Sequence, residues 1–269
     1  MKKIGKGLLY LALILLACVF IAPLIYALYN SLLPLKYVDK LVSPDKFTLE
    51  NYVTLFTKYS VGRWYINTIV MTVITVTGNI IFNAMAGYAL AKMKFPGRNI
   101  IFLIVLATMM IPFQMIITPL YIMIAKLNWH NTMVGLTVPF LWNALYIFMF
   151  RQFFITIPDD MEEAAKLDGI TKAGIFFRII LPLSGPIIAS VIIFNFTQSW
   201  NAYIVPATFT SSKEMYVLVT GLNTVKDLFF DRTNLTMAGV ILTTLPVLLV
   251  FLRLQKLFIQ GIATTGIKS

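Results

Sequence analysis

The chain has 269 residues, of which 59% are apolar and only 12% carry a charge. Soluble domains carry about 25% charged residues, so this composition cannot cover a water-exposed surface and excludes an ordinary soluble protein. The net charge of +11 does not signal nucleic-acid binding: the basic residues sit at the ends of apolar runs, where they orient spans and meet anionic lipid, and no basic helix or aromatic platform stands apart from them.

Asp, Glu, Lys and Arg are absent from residues 7–35, 64–91, 99–125, 127–150, 179–212 and 233–252. Each run holds the roughly 20 residues that a spanning helix needs. Lipid gives backbone groups no partners, so each run is expected to be helical. The predicted fold class is all-α, a polytopic membrane protein with six transmembrane helices near 8–31, 65–90, 100–124, 132–153, 181–204 and 236–257, in one membrane domain over 1–269.

The first run follows Lys2-Lys3 and passes Leu15-Leu16-Ala17-Cys18, which resembles a lipoprotein cleavage box. It continues through Val19-Phe20-Ile21, longer than a signal-peptide core, and is read as an uncleaved span. Cys18 is the only cysteine, so no intrachain disulfide exists. Residues 32–63 and 205–235 mix both charge signs with Pro, Asn, Thr and Ser, and read as loops with short interfacial helices. Between the second and third spans, Lys92-Met93-Lys94 and Arg98 form an acid-free basic connection, which indicates the cytoplasm. Pro112 and Pro119 fall in the third span, Pro139 in the fourth and Pro246 in the sixth. Each removes a backbone bond and can kink its helix. His130, in the connection 126–131, reads as a loop residue. With an inside N-terminus, 13 Lys and Arg lie in the cytoplasm and 9 outside. Both termini are then cytoplasmic, as is the 154–180 loop.

Residues 151–178 carry five acidic and four basic side chains between two apolar runs. Pro158 cannot continue the fourth helix, and it pushes Ile157 toward extended geometry. Asp159 or Asp160 is expected to cap a new helix, with Glu162 or Glu163 three residues on, as in a capping box. Met161, Ala164, Ala165 and Asp168 fall at i, i+3, i+4 and i+7, giving one narrow face that another surface can approach. Gly169 permits positive φ and a tight exit. Helices that merely lie on membranes are usually rich in Lys and Arg. The acid excess here points to a protein partner instead.

The pattern Glu163-Ala164-Ala165, Gly169, Ile179, Leu181-Pro182 resembles the coupling loop of permease subunits in ATP-binding-cassette (ABC) importers. Phe47-Thr48-Leu49-Glu50-Asn51-Tyr52 with Asn67-Thr68 resembles the start of the second span in carbohydrate importers. Ser199-Trp200-Asn201-Ala202-Tyr203 resembles the outer part of their fifth span. Gln260 to Lys268 resembles the tail of the maltose-transporter G-subunit branch, which includes glycerol-3-phosphate permeases. The resemblance implies a type I ABC importer permease fold in a bacterial cytoplasmic (inner) membrane. It implies a second homologous permease subunit, two ABC ATPase subunits and an extracytoplasmic solute-binding protein as partners. The ATPases would dock on a coupling helix at 159–172 carrying Glu162, Glu163, Ala164, Ala165, Asp168 and Gly169. ATP and Mg would be bound by the ATPases, this chain being a non-catalytic subunit with no cofactor or metal of its own. In agreement, no Gly-x-x-x-x-Gly-Lys-Ser/Thr run cradles phosphates.

Arg151, Arg253 and Lys256 fall at the cytoplasmic ends of their predicted spans and no charge lies deeper, which removes the usual marks of proton relays and ion paths. A path lined by amides and aromatic groups suits a neutral, hydroxyl-rich solute. The candidate lining residues are Asn79 and Asn83 on the second span, Gln114 on the third, Asn143 on the fourth, and Asn195, Gln198 and Trp200 on the fifth. Two competing readings stand beside this: such amides also hydrogen-bond neighbouring helices, and Trp200 also suits the outer aromatic belt. The expected function is ATP-driven uptake of a sugar or oligosaccharide. A permease for another solute such as glycerol-3-phosphate is the alternative, followed by a secondary carrier.

Overall fold

The computed structural model describes residues 2–228 and 232–266, and among these the chain is helical with no strand. Ile267 and Lys268 of the tail motif lie outside the described residues. The helices are α1 (Lys2–Ser31), α2 (Glu50–Lys58), α3 (Val61–Lys92), α4 (Arg98–Thr108), α5 (Phe113–Lys126), α6 (Met133–Thr137), α7 (Ala144–Ile155), α8 (Asp160–Leu167), α9 (Lys172–Ile175), α10 (Leu181–Leu183), α11 (Gly185–Trp200), α12 (Ile204–Phe209), α13 (Leu218–Leu228) and α14 (Thr233–Gly266). A π-helical turn over Phe176–Ile180 joins α9 to α10.

Among the described residues, three stretches are long and apolar enough to cross a membrane unbroken: Lys6–Ser31, Val61–Lys92 and Thr233–Ile259. The other three predicted spans are bent pairs, so the count reaches six only if each pair is one span. Arg98–Thr108 meets Phe113–Lys126 at 98°, Met133–Phe140 meets Ala144–Ile155 at 41°, and Lys172–Leu183 meets Gly185–Trp200 at 76°.

Proline explains two of the breaks. Pro112 is extended at ψ 133° and caps α5, and Pro139 sits in the 3-10 turn Val138–Phe140 that ends α6. Pro119 and Pro246 lie inside continuous helices, where the one lost bond is tolerated. The fifth predicted span is corrected at its start. Residues 181–183 belong to the segment before the break, and the long helix begins at Gly185 with Pro186 in its first turn. Proline costs nothing there, because first-turn N–H groups have no helical partner.

The chain divides into two compact units, Met1–Arg63 with Leu218–Pro246, and Trp64–Val217 with Val247–Ser269. In the first, α1 leaves its large apolar side chains exposed from Leu8 to Leu28, with the small Ala27 buried, as a lipid-facing helix requires. Beyond its end, Asn51 of α2 is the polar hub. Its amide donates to the carbonyls of Ser31 at 2.7 Å and Leu33 at 2.8 Å, and its oxygen accepts from Asn234 of α14 at 2.6 Å. The α1 terminus thereby keeps its orphan carbonyls satisfied.

The second unit has two cores. One gathers Tyr88, Tyr146, Phe150, Phe154, Ile175, Phe176 and Ile180, and the other Met71, Ile124, Leu136, Phe209 and Val217. Close packing of α3 on α7 depends on Gly87. A Cβ there would meet Phe150 Cβ at 2.7 Å and the Arg151 backbone nitrogen at 3.0 Å, the small-residue contact typical of membrane helices.

The break between α6 and α7 frees a carbonyl at Phe140 and an N–H at Asn143. Both are answered by α3. Asn79 donates to the Phe140 carbonyl at 2.7 Å, and Asn83 accepts from the Asn143 N–H at 3.0 Å. The two amides are joined to each other at 2.8 Å and are fully buried. Asn79 and Asn83 are thus buried against the broken helix they mend, and neither is among the residues of the cavity described below. Asn83→Leu should orphan the Asn143 N–H and destabilise the protein by about 1–3 kcal/mol. Unfolding in mixed micelles checks this, and unchanged stability would contradict it.

Candidate functional site

The segment between α7 and α11 begins where Pro158 stops α7. Asp159 caps α8 only through its backbone: its carbonyl accepts from Glu162 N–H at 2.9 Å and Glu163 N–H at 3.0 Å. The expected capping box is not formed, because no side chain caps α8 and the Asp159 carboxylate is held elsewhere. Lys92, at the end of α3, pairs with it at 2.5 Å.

That ammonium, hydrogen-bonded and charged beside it, holds the Asp159 carboxyl below its ordinary value. A carboxyl lowered on folding adds stability above its unfolded value and loses it as pH falls through the folded one. The pair therefore persists at neutral pH and is lost as the pH falls into the acid range.

The exit of α8 is a Schellman motif. Gly169 has φ +75°, Ile170 N–H donates to the Ala165 carbonyl and Gly169 N–H to the Lys166 carbonyl, both at 3.0 Å, as that motif requires. A Cβ on Gly169 would touch nothing within 4 Å, so its requirement is purely conformational. Thr171 then caps α9, accepting from Gly174 N–H at 3.2 Å.

The expected small face of α8 is divided by the fold. Ala165 and Glu162 turn inward, Ala165 joining the core with Ile157 and Phe176. The outer face presents Asp160, Met161, Glu163, Ala164 and Asp168, with Leu167 90% exposed. Glu162 is buried: one carboxylate oxygen lacks a hydrogen-bond partner among the described residues, and the Lys166 ammonium approaches the other at 3.9 Å. The exposed surface therefore sets the carboxylates of Asp160, Glu163 and Asp168 against the single ammonium of Lys166, with two apolar side chains, Met161 and Leu167, standing out of it.

The second site is a cavity of about 520 Å³. Its polar lining is Thr75, Asn143, Asn195, Gln198, Ser199 and Asn201, and its aromatic lining is Phe113, Phe140, Trp142 and Tyr203, with no charged group. The break at 141–143 brings Trp142 and Asn143 to it, and the end of α11 brings the rest. Thr75 and Ser199 bond across it at 2.7 Å. Gln198 accepts from Tyr146 at 3.1 Å, while the buried Asn195 oxygen lacks a partner among the described residues.

Of the residues expected here, Asn143, Asn195 and Gln198 line the cavity. Gln114 is exposed and its neighbour Phe113 takes the lining position. Trp200 belongs neither to the lining nor to an outer belt. It is 2% exposed, stacks on Phe196 at 5.3 Å and meets Tyr65 edge-on. The sequence alone does not mark Thr75, Trp142, Asn201 or Tyr203 as lining. Asn201 and Tyr203 lie in the Ser199–Tyr203 stretch, and the end of α11 at Trp200 brings both to the cavity.

Residues 83–264 match the family described as binding-protein-dependent transport system inner membrane component. The arabinooligosaccharides transport system permease protein AraQ of Bacillus subtilis is 33% identical over 266 residues, 97% of this chain and 95% of that protein. AraQ of Halalkalibacterium halodurans is 34% identical over 86% of this chain and 83% of that protein. The sn-glycerol-3-phosphate transport system permease protein UgpE of Pectobacterium atrosepticum is 34% identical over 75% of this chain and 72% of that protein. Among solved structures, a bacterial ABC transporter involved in import of the acidic polysaccharide alginate has a chain that superposes with a TM-score of 0.83. It covers 95% of this chain and 96% of that one at 23% identity, which establishes the type I ABC permease fold. The chain therefore belongs to the family of binding-protein-dependent transport system inner membrane components and is a membrane-embedded permease subunit of such an importer.

Proposed function

We propose that the chain is one of two permease subunits of an ATP-driven importer of a sugar or oligosaccharide in the bacterial inner membrane. A second, homologous permease would pair with it, an extracytoplasmic binding protein would deliver the solute, and two ATPases would dock on the 159–172 segment. All of 1–269 would serve as one permease domain of six spans with both termini cytoplasmic. ATP and Mg²⁺ would reside on the ATPases, leaving this subunit without catalysis or cofactor.

The observation that carries the cargo reading is the uncharged cavity, where amides and hydroxyls sit beside aromatic faces. Hydroxyl-rich rings are recognised by such a mixture of hydrogen bonds and apolar surface. The relatives' names include a phosphate ester as well as oligosaccharides. An anion calls for a compensating cation, and the lining has none, which favours the neutral solute. The acidic outer face of α8, with Leu167 projecting, fits a basic partner surface with an apolar pocket.

Three outcomes test the reading. Leu167→Cys should cross-link to the ATPase subunit in the assembled importer, while Ala165→Cys, facing the core, should not; the reverse pattern would sink the docking surface. Gly169→Val forces a β-branched residue into left-handed geometry, at a cost of about 1–2 kcal/mol. It should insert normally but lower ATPase association about tenfold in pull-down titrations. Asn195→Leu removes an unpartnered acceptor from the cavity. It should leave assembly intact and cut sugar uptake into vesicles about tenfold, as a lost hydrogen bond of about 1 kcal/mol or slightly more implies.

A further inference from the structure

We infer that Lys92 is a positioning residue that locks the α7–α8 junction to α3, so that displacement of α8 reaches the wall of the cavity. The importer reading above supplies what displaces α8; the lock itself stands on the geometry alone.

The Lys92 side chain is only 6% exposed, and its ammonium is committed twice. It donates to the Ile157 carbonyl at 2.5 Å and to the Asp159 carboxylate at 2.5 Å, gripping the chain on both sides of Pro158. Its role is not simply to neutralise the end of α3. The carbonyls of Leu90, Ala91 and Met93 are already taken by Arg151 at 3.2 Å and by Arg98 at 3.5 and 3.2 Å. One turn back along α3, the Tyr88 ring meets Phe154 at 6.1 Å and Phe176 at 5.2 Å, in the core that Ala165 of α8 joins. Tyr88 and Lys92 stand at i, i+4 on one face of α3, so two rungs, a ring contact and an ion pair, join that face to the chain on either side of α8. Two rungs fix an orientation where one would leave a pivot.

The other end of the connection is the cavity. About 13 and 20 Å back along α3, at 1.5 Å per residue, Asn83 and Asn79 hold Asn143 and Phe140, both of which line the cavity. Thr75, one turn further, bonds Ser199 across it. A single unbroken helix, Val61–Lys92, thus carries the lock at one end and the cavity wall farther along. Its backbone bonds are internal, so it moves as a body.

The test uses the full chain assembled with its partner permease and ATPases in nanodiscs, with Cys18→Ser removing the one native thiol. Spin labels at Lys94→Cys and Leu167→Cys should give one narrow distance. Lys92→Met and the exposed Asp159→Asn should each broaden it at least twofold, and Lys92→Arg should restore it. A bimane label at Asn201→Cys should shift its emission when a non-hydrolysable ATP analogue is added. Lys92→Met should reduce that shift at least fivefold while nucleotide binding is unchanged, again with recovery in Lys92→Arg. Wild-type distance widths in both Lys92→Met and Asp159→Asn, or a full bimane shift in Lys92→Met, would overturn the lock. Absence of any shift in the unmutated assembly, with narrow distances retained, would overturn the importer coupling and leave the lock standing.

Discussion

A backbone that leaves helical geometry inside lipid must find its hydrogen-bond partners within the protein, and the arrangement of this chain follows from that. Three of the predicted spans are broken. Breaks free carbonyls and N–H groups at the positions that shape the cavity. The fourth-span break survives because Asn79 and Asn83 meet it from α3. The buried amides are the condition for having a non-helical corner at membrane depth, and that corner supplies Trp142 and Asn143 to the cavity.

Outside the apolar region the same accounting is done with charge. The last carbonyls of α3 are covered by Arg98 and Arg151, which suits the negative end of a helix dipole. Lys92 is left to bind the loop. The segment after Pro158 is consequently a supported platform, with Ile157, Ala165, Ile175 and Phe176 in the core and the acidic residues facing out. A buried inner face gives the exposed one a fixed attitude, which a docking surface needs.

The two sites are thus built by opposite means. The cavity is uncharged and depends on neutral amides whose partners are mostly backbone. The loop is charged and depends on cations reaching carbonyls and a carboxylate. The long helix α3 contributes to both, which explains why its sequence changes character from Thr75, Asn79 and Asn83 to Lys92 within a few turns.

The sequence by itself determined the class of protein. Charge-free runs long enough for spans, a Pro158 stop and the Glu163-Ala164-Ala165 to Gly169 pattern are local features whose physics needs no neighbour. The positive φ of Gly169 was legible for the same reason. What the tertiary structure decided was direction. Asn79, Asn83 and Trp200 carry groups suited equally to lining a path or to packing, and only the neighbouring helices place them inside. Ala164 and Ala165 are alike in composition, yet one faces outward and the other the core, because the Lys92 tie and the Phe154–Phe176 cluster set the rotation of α8. A one-dimensional pattern gives the period of a face; which way that face turns is fixed by contacts between residues far apart in the chain.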